Sequence, residues 1–210
     1  MKKGPLRLIR LTSLLLIVAL SGYYAGNFFL QERKIKTGAI SSSTVPQVTP
    51  DSELAMLPDF TLMDVGGNPR SISEWSKQPL LINFWATWCA PCRREMPLLQ
   101  KLHEERQNNS FQVIGVAIDR LDDVQAYVIE SGVTYPILVG ELEAMEVAEK
   151  FGSGFVGLPF SVFTAPNGQV LTVRNGELQR DELRAILAIT DQVTSGQLST
   201  AEARQQFAQL

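Results

Sequence analysis

LLINFWATWCAPCRREMP, residues 80–97, is the stretch around which the rest of the chain is arranged. It holds both cysteines of the protein, Cys89 and Cys92, with Ala90 and Pro91 between them. Leu80–Trp85 is apolar apart from Asn83, which predicts a central buried strand. Residues 90–107 carry Met96, Leu98, Leu99 and Leu102, which predicts a helix leading away, kinked at Pro97. The first N–H groups of such a helix lack partners and lie at the positive end of its dipole. A thiol placed there ionises more readily. Two cysteines three apart on a helical turn can close a disulfide on each other. The pair can therefore carry two electrons by thiol–disulfide exchange. Cys89, at the exposed lip of the helix, is the expected nucleophile, and Cys92, one turn in, the resolving thiol. Pro91 fixes the backbone where a helix needs no N–H donor. Trp88 is expected on the docking surface and Trp85 in the core.

A bare pair of this spacing also occurs in zinc sites, which take four protein ligands or three plus water. His103 is the only histidine of the chain, so a cage within one chain is not expected. Neither a metal nor a cofactor is expected. His103 itself, in a charged segment (HEER), reads as a surface residue.

Trp precedes the pair, Pro lies within it and Pro97 follows five residues on. The string NFWATWCAPCRREMP resembles the thioredoxin superfamily. Within it, the string resembles the membrane-tethered TlpA/ResA/CcmG-like thiol–disulfide oxidoreductases, with their redoxin or AhpC/TSA-like domain. The likeness covers residues 58–187. It implies an α/β thioredoxin-like fold, a mixed central sheet flanked by helices, with an extra N-terminal β-hairpin. It implies that Pro159, in Gly157-Leu158-Pro159-Phe160, is cis, sits against the cysteine pair and offers a backbone edge to a substrate strand. It also implies that Glu95 lies by the site and influences thiol ionisation and proton transfer. The plainer alternative for Glu95 is a first-turn carboxylate that favours the helix dipole. Asn83 departs from cytoplasmic thioredoxins, which carry a buried Asp there. Asn cannot accept a proton, so the weight moves to Glu95.

Working outward, residues 11–30 (LTSLLLIVALSGYYAGNFFL) are uncharged over the length of a bilayer-spanning helix. Lys2, Lys3, Arg7 and Arg10 precede them, which puts the N-terminus on the cytoplasmic side. Residues 1–30 thus read as a membrane anchor, with a cleaved signal peptide as the alternative. Residues 31–56 read as a flexible linker, 57–190 as the thioredoxin-like domain, and 191–210 as a tail of unread role. Residues 60–63 and 70–72 flank a Gly-Gly-Asn turn, a hairpin pattern. Ser73 could cap the short turn that holds Trp75. Further strands are expected at 111–118, 133–139, Phe160–Thr164 and 170–174, and further helices at Leu121–Ser131, 143–151 and 181–189. One crossover between parallel strands is expected.

The net charge of −3 gives no reason to expect nucleic acid as a partner. With either an anchor or a signal peptide, the domain is expected to leave the cytoplasm for a compartment in which disulfides persist. Two cysteines confined to one motif read there as a reactive pair. The expectation is a single-pass protein of the inner membrane with its catalytic domain on the periplasmic or equivalent side. It would be a monomer that reduces protein disulfides, as in cytochrome c maturation or oxidase assembly, and that draws on a thiol electron donor. Two alternatives remain. A peroxiredoxin would need Thr three residues before the peroxidatic cysteine, where Ala86 stands. A copper-delivery protein would need a wider pair and a distal His.

Overall fold

A computed structural model describes residues 56–106 and 111–210. The expected span at 11–30 and all but the last residue of the linker lie outside the described residues. Among the described residues no helix is long and apolar enough to cross a membrane.

The chain opens with the expected hairpin, β1 (Thr61–Asp64) against β2 (Pro69–Ser71). Its turn is set by Asp64, whose Oδ1 accepts the N–H groups of Gly66 and Asn68 at 2.8 and 2.9 Å. Ser71, not Ser73, caps the single 3-10 turn Ile72–Trp75, because Glu74 reaches back to the Ser71 N–H at 3.0 Å and completes a capping box.

The remaining elements are β3 (Leu80–Trp85), α1 (Ala90–Arg106), β4 (Gln112–Ile118), α2 (Leu121–Ser131), β5 (Ile137–Gly140) and α3 (Leu142–Glu149). After them come β6 (Phe160–Thr164), β7 (Val170–Asn175), α4 (Arg180–Thr194) and α5 (Thr200–Phe207). The seven strands make one mixed sheet in the order β2-β1-β5-β4-β3-β6-β7. β4 pairs in parallel with both β3 and β5, while β1, β6 and β7 run antiparallel to their neighbours. Two parallel pairings need two crossovers, through α1 and α2, where the sequence suggested one. β5 is shorter than expected because the segment before it contains Pro136 and pairs only from Ile137 onward.

β3 is buried along its whole length, so its alternating side chains feed two cores. Leu81 and Trp85 face one core together with Met96 and Leu99 of α1 and Leu183 and Ile186 of α4. Leu80, Ile82 and Phe84 face the other, with Ala144 and Val147 of α3 and Trp75. The period of two places Asn83 on the α1 side. On β4, Gly115 makes room for the bulk there: a Cβ at that position would come within 2.5 Å of Ile137 and 3.1 Å of the Trp85 indole nitrogen.

One sequence reading is completed and one is corrected. Residues 191–210, whose role the sequence left unread, pack into the domain. α4 continues to Thr194, and α5 docks with Ala203 and Phe207 buried in the α1-side core. Arg204 donates from Nη2 to the Val170 carbonyl at 2.9 Å, and Arg174 donates to the Phe207 carbonyl at 3.0 Å. A pattern of only two well-buried apolar positions in eight residues is too sparse to announce a core helix. His103 is half-buried rather than on the surface. Its ring lies 6.1 Å from that of Tyr135, and burial lowers its pKa.

Candidate active site

The turn from β3 into α1 is held from below. Asp119, just past the end of β4, accepts both the N–H and the hydroxyl of Thr87 at Oδ2, at 2.9 and 2.5 Å. The Cys89 N–H then donates to Ala86 O at 3.1 Å, and α1 begins at Ala90. This places Cys89 immediately before the helix and Cys92 in its first turn. The two are joined as a disulfide, with Cα atoms 5.3 Å apart. The Cys92 N–H points at Cys89 Sγ, 3.3 Å away. A backbone donor aimed at that sulfur favours its thiolate once the bond is opened.

Cys92 is wholly buried, whereas Cys89 keeps 5% of its surface. The lip is thus more closed than the sequence suggested, because the Cys89 side chain packs into the core cluster with Trp85 and Ala86. What solvent contact the disulfide has is through Cys89. Trp88 beside it is 69% exposed, while Trp85 is fully buried. Pro91 is half-buried between the cysteines.

The Leu158-Pro159 peptide is cis. Pro159 is buried, and Leu158 packs against the core cluster that contains both cysteines. The carbonyl of Pro159 accepts the N–H of Gly176 at 2.8 Å.

Glu95 is one turn beyond Cys92 on α1 and is only 1% exposed, so it is not a solvent-facing dipole partner. Its Oε1 accepts Asn83 Nδ2 at 2.8 Å and its Oε2 accepts the Leu178 N–H at 2.7 Å. Asn83 Nδ2 also donates to Ser161 Oγ on β6 at 3.0 Å. Burial pushes the Glu95 carboxyl up to about 7. The two donors pull the other way, and the negative charges of Glu177 and Glu182 add to the rise. A carboxyl that titrates near neutrality can both take and return a proton.

Several partners of this site carried little sequence signal. Asn83 was visible as the polar residue of an apolar strand, but as a departure rather than as the donor to Glu95. Asp119 lies one residue past the strand expected at 111–118, and nothing else in the sequence marks it. Leu178 acts through its backbone N–H, which no side-chain pattern reports. Among the described residues no group of three or more His, Cys, Asp or Glu could hold a metal ion.

The comparisons with known proteins agree with this geometry. The chain is 27% identical over 187 residues to the thiol-disulfide oxidoreductase ResA of Geobacillus thermodenitrificans strain NG80-2, covering 88% of this chain and 95% of that protein. It is 30% identical over 129 residues to the thioredoxin-like protein YneN of Bacillus subtilis strain 168, covering 60% and 68%. The crystal structure of a thioredoxin-family thiol:disulfide interchange protein from Chlorobium tepidum TLS superposes with a TM-score of 0.58 at 25% identity, covering 70% of this chain and 97% of that one. A mixed sheet carrying a Cys-Ala-Pro-Cys disulfide at a helix start, with relatives of this kind, defines a thiol–disulfide oxidoreductase of the thioredoxin superfamily. The AhpC/TSA family model matches residues 55–173, and the chain belongs to that family as a TlpA/ResA-like member.

Proposed function

We propose that the protein is a membrane-anchored extracytoplasmic reductase of protein disulfides that works through the Cys89/Cys92 couple. The observation that carries this reading is the Cys89–Cys92 disulfide at the start of α1, with the Glu95 carboxyl buried one turn behind it and held by Asn83 and the Leu178 N–H. In the reduced protein the Cys89 thiolate attacks one sulfur of a substrate disulfide. A mixed disulfide forms and the first substrate thiolate leaves. Cys92 then gives its proton to Glu95 and attacks Cys89 Sγ. That step closes Cys89–Cys92 and releases the second substrate sulfur as a thiolate. Two electrons have passed to the substrate, and a dithiol donor returns them by the reverse exchange. The cis-Pro159 segment and exposed Trp88 give the substrate chain a place to dock.

Substrates of this class include apocytochrome c and copper-site assembly proteins of oxidases. The test is capture: Cys92→Ser, expressed in cell envelopes, is expected to retain its substrate as a covalent adduct for mass spectrometry. Absence of any adduct would count against a reductase of protein disulfides. The anchor is tested separately. The uncharged residues 11–30 predict that the intact chain stays with membranes through a high-salt wash. A mature soluble form starting between Ser21 and Gly26 would replace the anchor with a cleaved signal peptide.

A further inference from the structure

Three consecutive residues between β7 and α4 each touch a different part of the thiol site. Gly176, at φ +90, gives its N–H to the carbonyl of Pro159 at 2.8 Å. Glu177 Oε2 accepts Arg94 Nε at 2.8 Å and pairs with Arg94 Nη2 at 2.5 Å. The Leu178 N–H goes to Glu95 Oε2 at 2.7 Å, and its side chain is buried in the cluster that holds both cysteines. Arg94 and Glu95 are neighbours on α1. The loop is therefore fastened twice to the helix that opens at the cysteines and once to the cis-proline segment.

We propose that residues 176–178 form a strap that positions the Glu95 carboxylate, with Glu177 as its latch onto Arg94. The proposal rests on Glu95 being the proton acceptor of the exchange reaction. Of the two donors to that carboxylate, Asn83 stands on a strand buried along its whole length and is fixed there. The Leu178 N–H stands on a loop, and its place is set by the buried Leu178 side chain together with the Gly176 and Glu177 contacts on either side of the strap. Gly176 supplies the left-handed backbone that lets the chain leave β7 toward Pro159 and still deliver the next two residues to α1. Glu177 and Leu178 are positioning residues; neither need touch substrate.

The charges around Glu95 make the role of Glu177 separable from plain electrostatics. Glu177, paired with Arg94, faces it from the loop. Glu182 faces it from α4 and is itself paired with Arg174 of β7 at 3.2 Å. Tyr135, ahead of β5, is neutral, and the cysteines carry no charge while joined. Removing the Glu177 charge and freeing Arg94 can only ease ionisation of Glu95, so electrostatics alone would lower its titration midpoint. Releasing the strap withdraws the Leu178 N–H, a donor that favours the ionised form, and raises the midpoint. The two effects have opposite signs.

The experiment is a carboxyl-carbon NMR titration of glutamate-labelled, oxidised, full-length protein, with the Glu95 resonance identified by its loss in Glu95→Gln. Glu177→Ala is expected to raise the Glu95 midpoint by about one pH unit, the scale of one hydrogen bond to a charged group. A fall, or no movement, overturns the latch. Gly176→Ala changes no charge, and nothing lies within 4 Å of the added Cβ, so it acts only through the backbone. It is expected to raise the midpoint as well, and an unmoved midpoint overturns the strap. Both readings are taken with the disulfide closed and no substrate present. They fail independently of the exchange reaction, whose own failure would appear as a missing adduct on Cys92→Ser.

Discussion

Cys89→Ser is expected to abolish exchange, with a loss on the order of a thousandfold or more, the scale seen when a covalent nucleophile is removed. Cys92→Ser is expected to stop one step later. The reason is the asymmetry of the pair. Cys92 is wholly buried in the first turn of α1, and only Cys89 reaches solvent. The Cys92 N–H is aimed at Cys89 Sγ, so the favoured thiolate and the reachable sulfur are the same atom. In the reduced protein at neutral pH, Cys89 should be alkylated faster than Cys92. Incubated with an oxidised peptide, Cys92→Ser should accumulate a mixed disulfide on Cys89, while Cys89→Ser should trap nothing. Mass spectrometry of both variants reads the result. An adduct on Cys92 instead would reverse the two roles and leave the dithiol chemistry in place.

The second large effect lies in the pH dependence of Glu95. Its carboxyl titrates at about 7 in the fold against an ordinary value of 4.5, chiefly through desolvation. Between these values the native protein holds a proton that the unfolded chain has released. The stability associated with that proton is therefore full below pH 4.5 and lost as pH rises to about 7. The loss amounts to about 3 kcal/mol, from the separation of the two values. Denaturant titrations across this window should show wild-type stability falling relative to Glu95→Gln by that order. Parallel curves would mean that Glu95 is not desolvated as its burial implies. In the reduced protein, Glu95→Gln should also shift the ionisation curve of Cys89 or slow substrate reduction, since Gln offers Cys92 no proton acceptor.

Much of this architecture was legible in the chain because apolar periodicity is a local signal. Leu80–Trp85, Leu121–Ser131 and Phe160–Thr164 form where the pattern of their own residues places them. The cysteine pair was legible for the same reason: strand, turn and helix start are all written within eighteen residues. α5 was not, because its apolar content is slight: it docks through two buried side chains, Ala203 and Phe207, and through two arginine contacts with carbonyls more than thirty residues away in sequence. The surroundings of Glu95 were half legible. A carboxylate on a helix face says nothing of whether that face is wet. Only the packing of α1 against β3, which sets Glu95 on Asn83, shows that it is dry.

The margins of the sheet bear on how such a protein chooses what it binds. At one border, β2 spans three residues, starts with a proline and carries Arg70, which is tied to Glu74 at 2.6 Å. At the other, Arg204 takes the Val170 carbonyl of β7 with its guanidinium. Each border carries a feature that discourages strand addition: one is only three residues long, and at the other one acceptor is already engaged. Extended protein segments add readily to any open ladder. With both margins blunted in this way, the proposed function would have a client held at the Cys89–Cys92 site rather than by strand addition to the sheet.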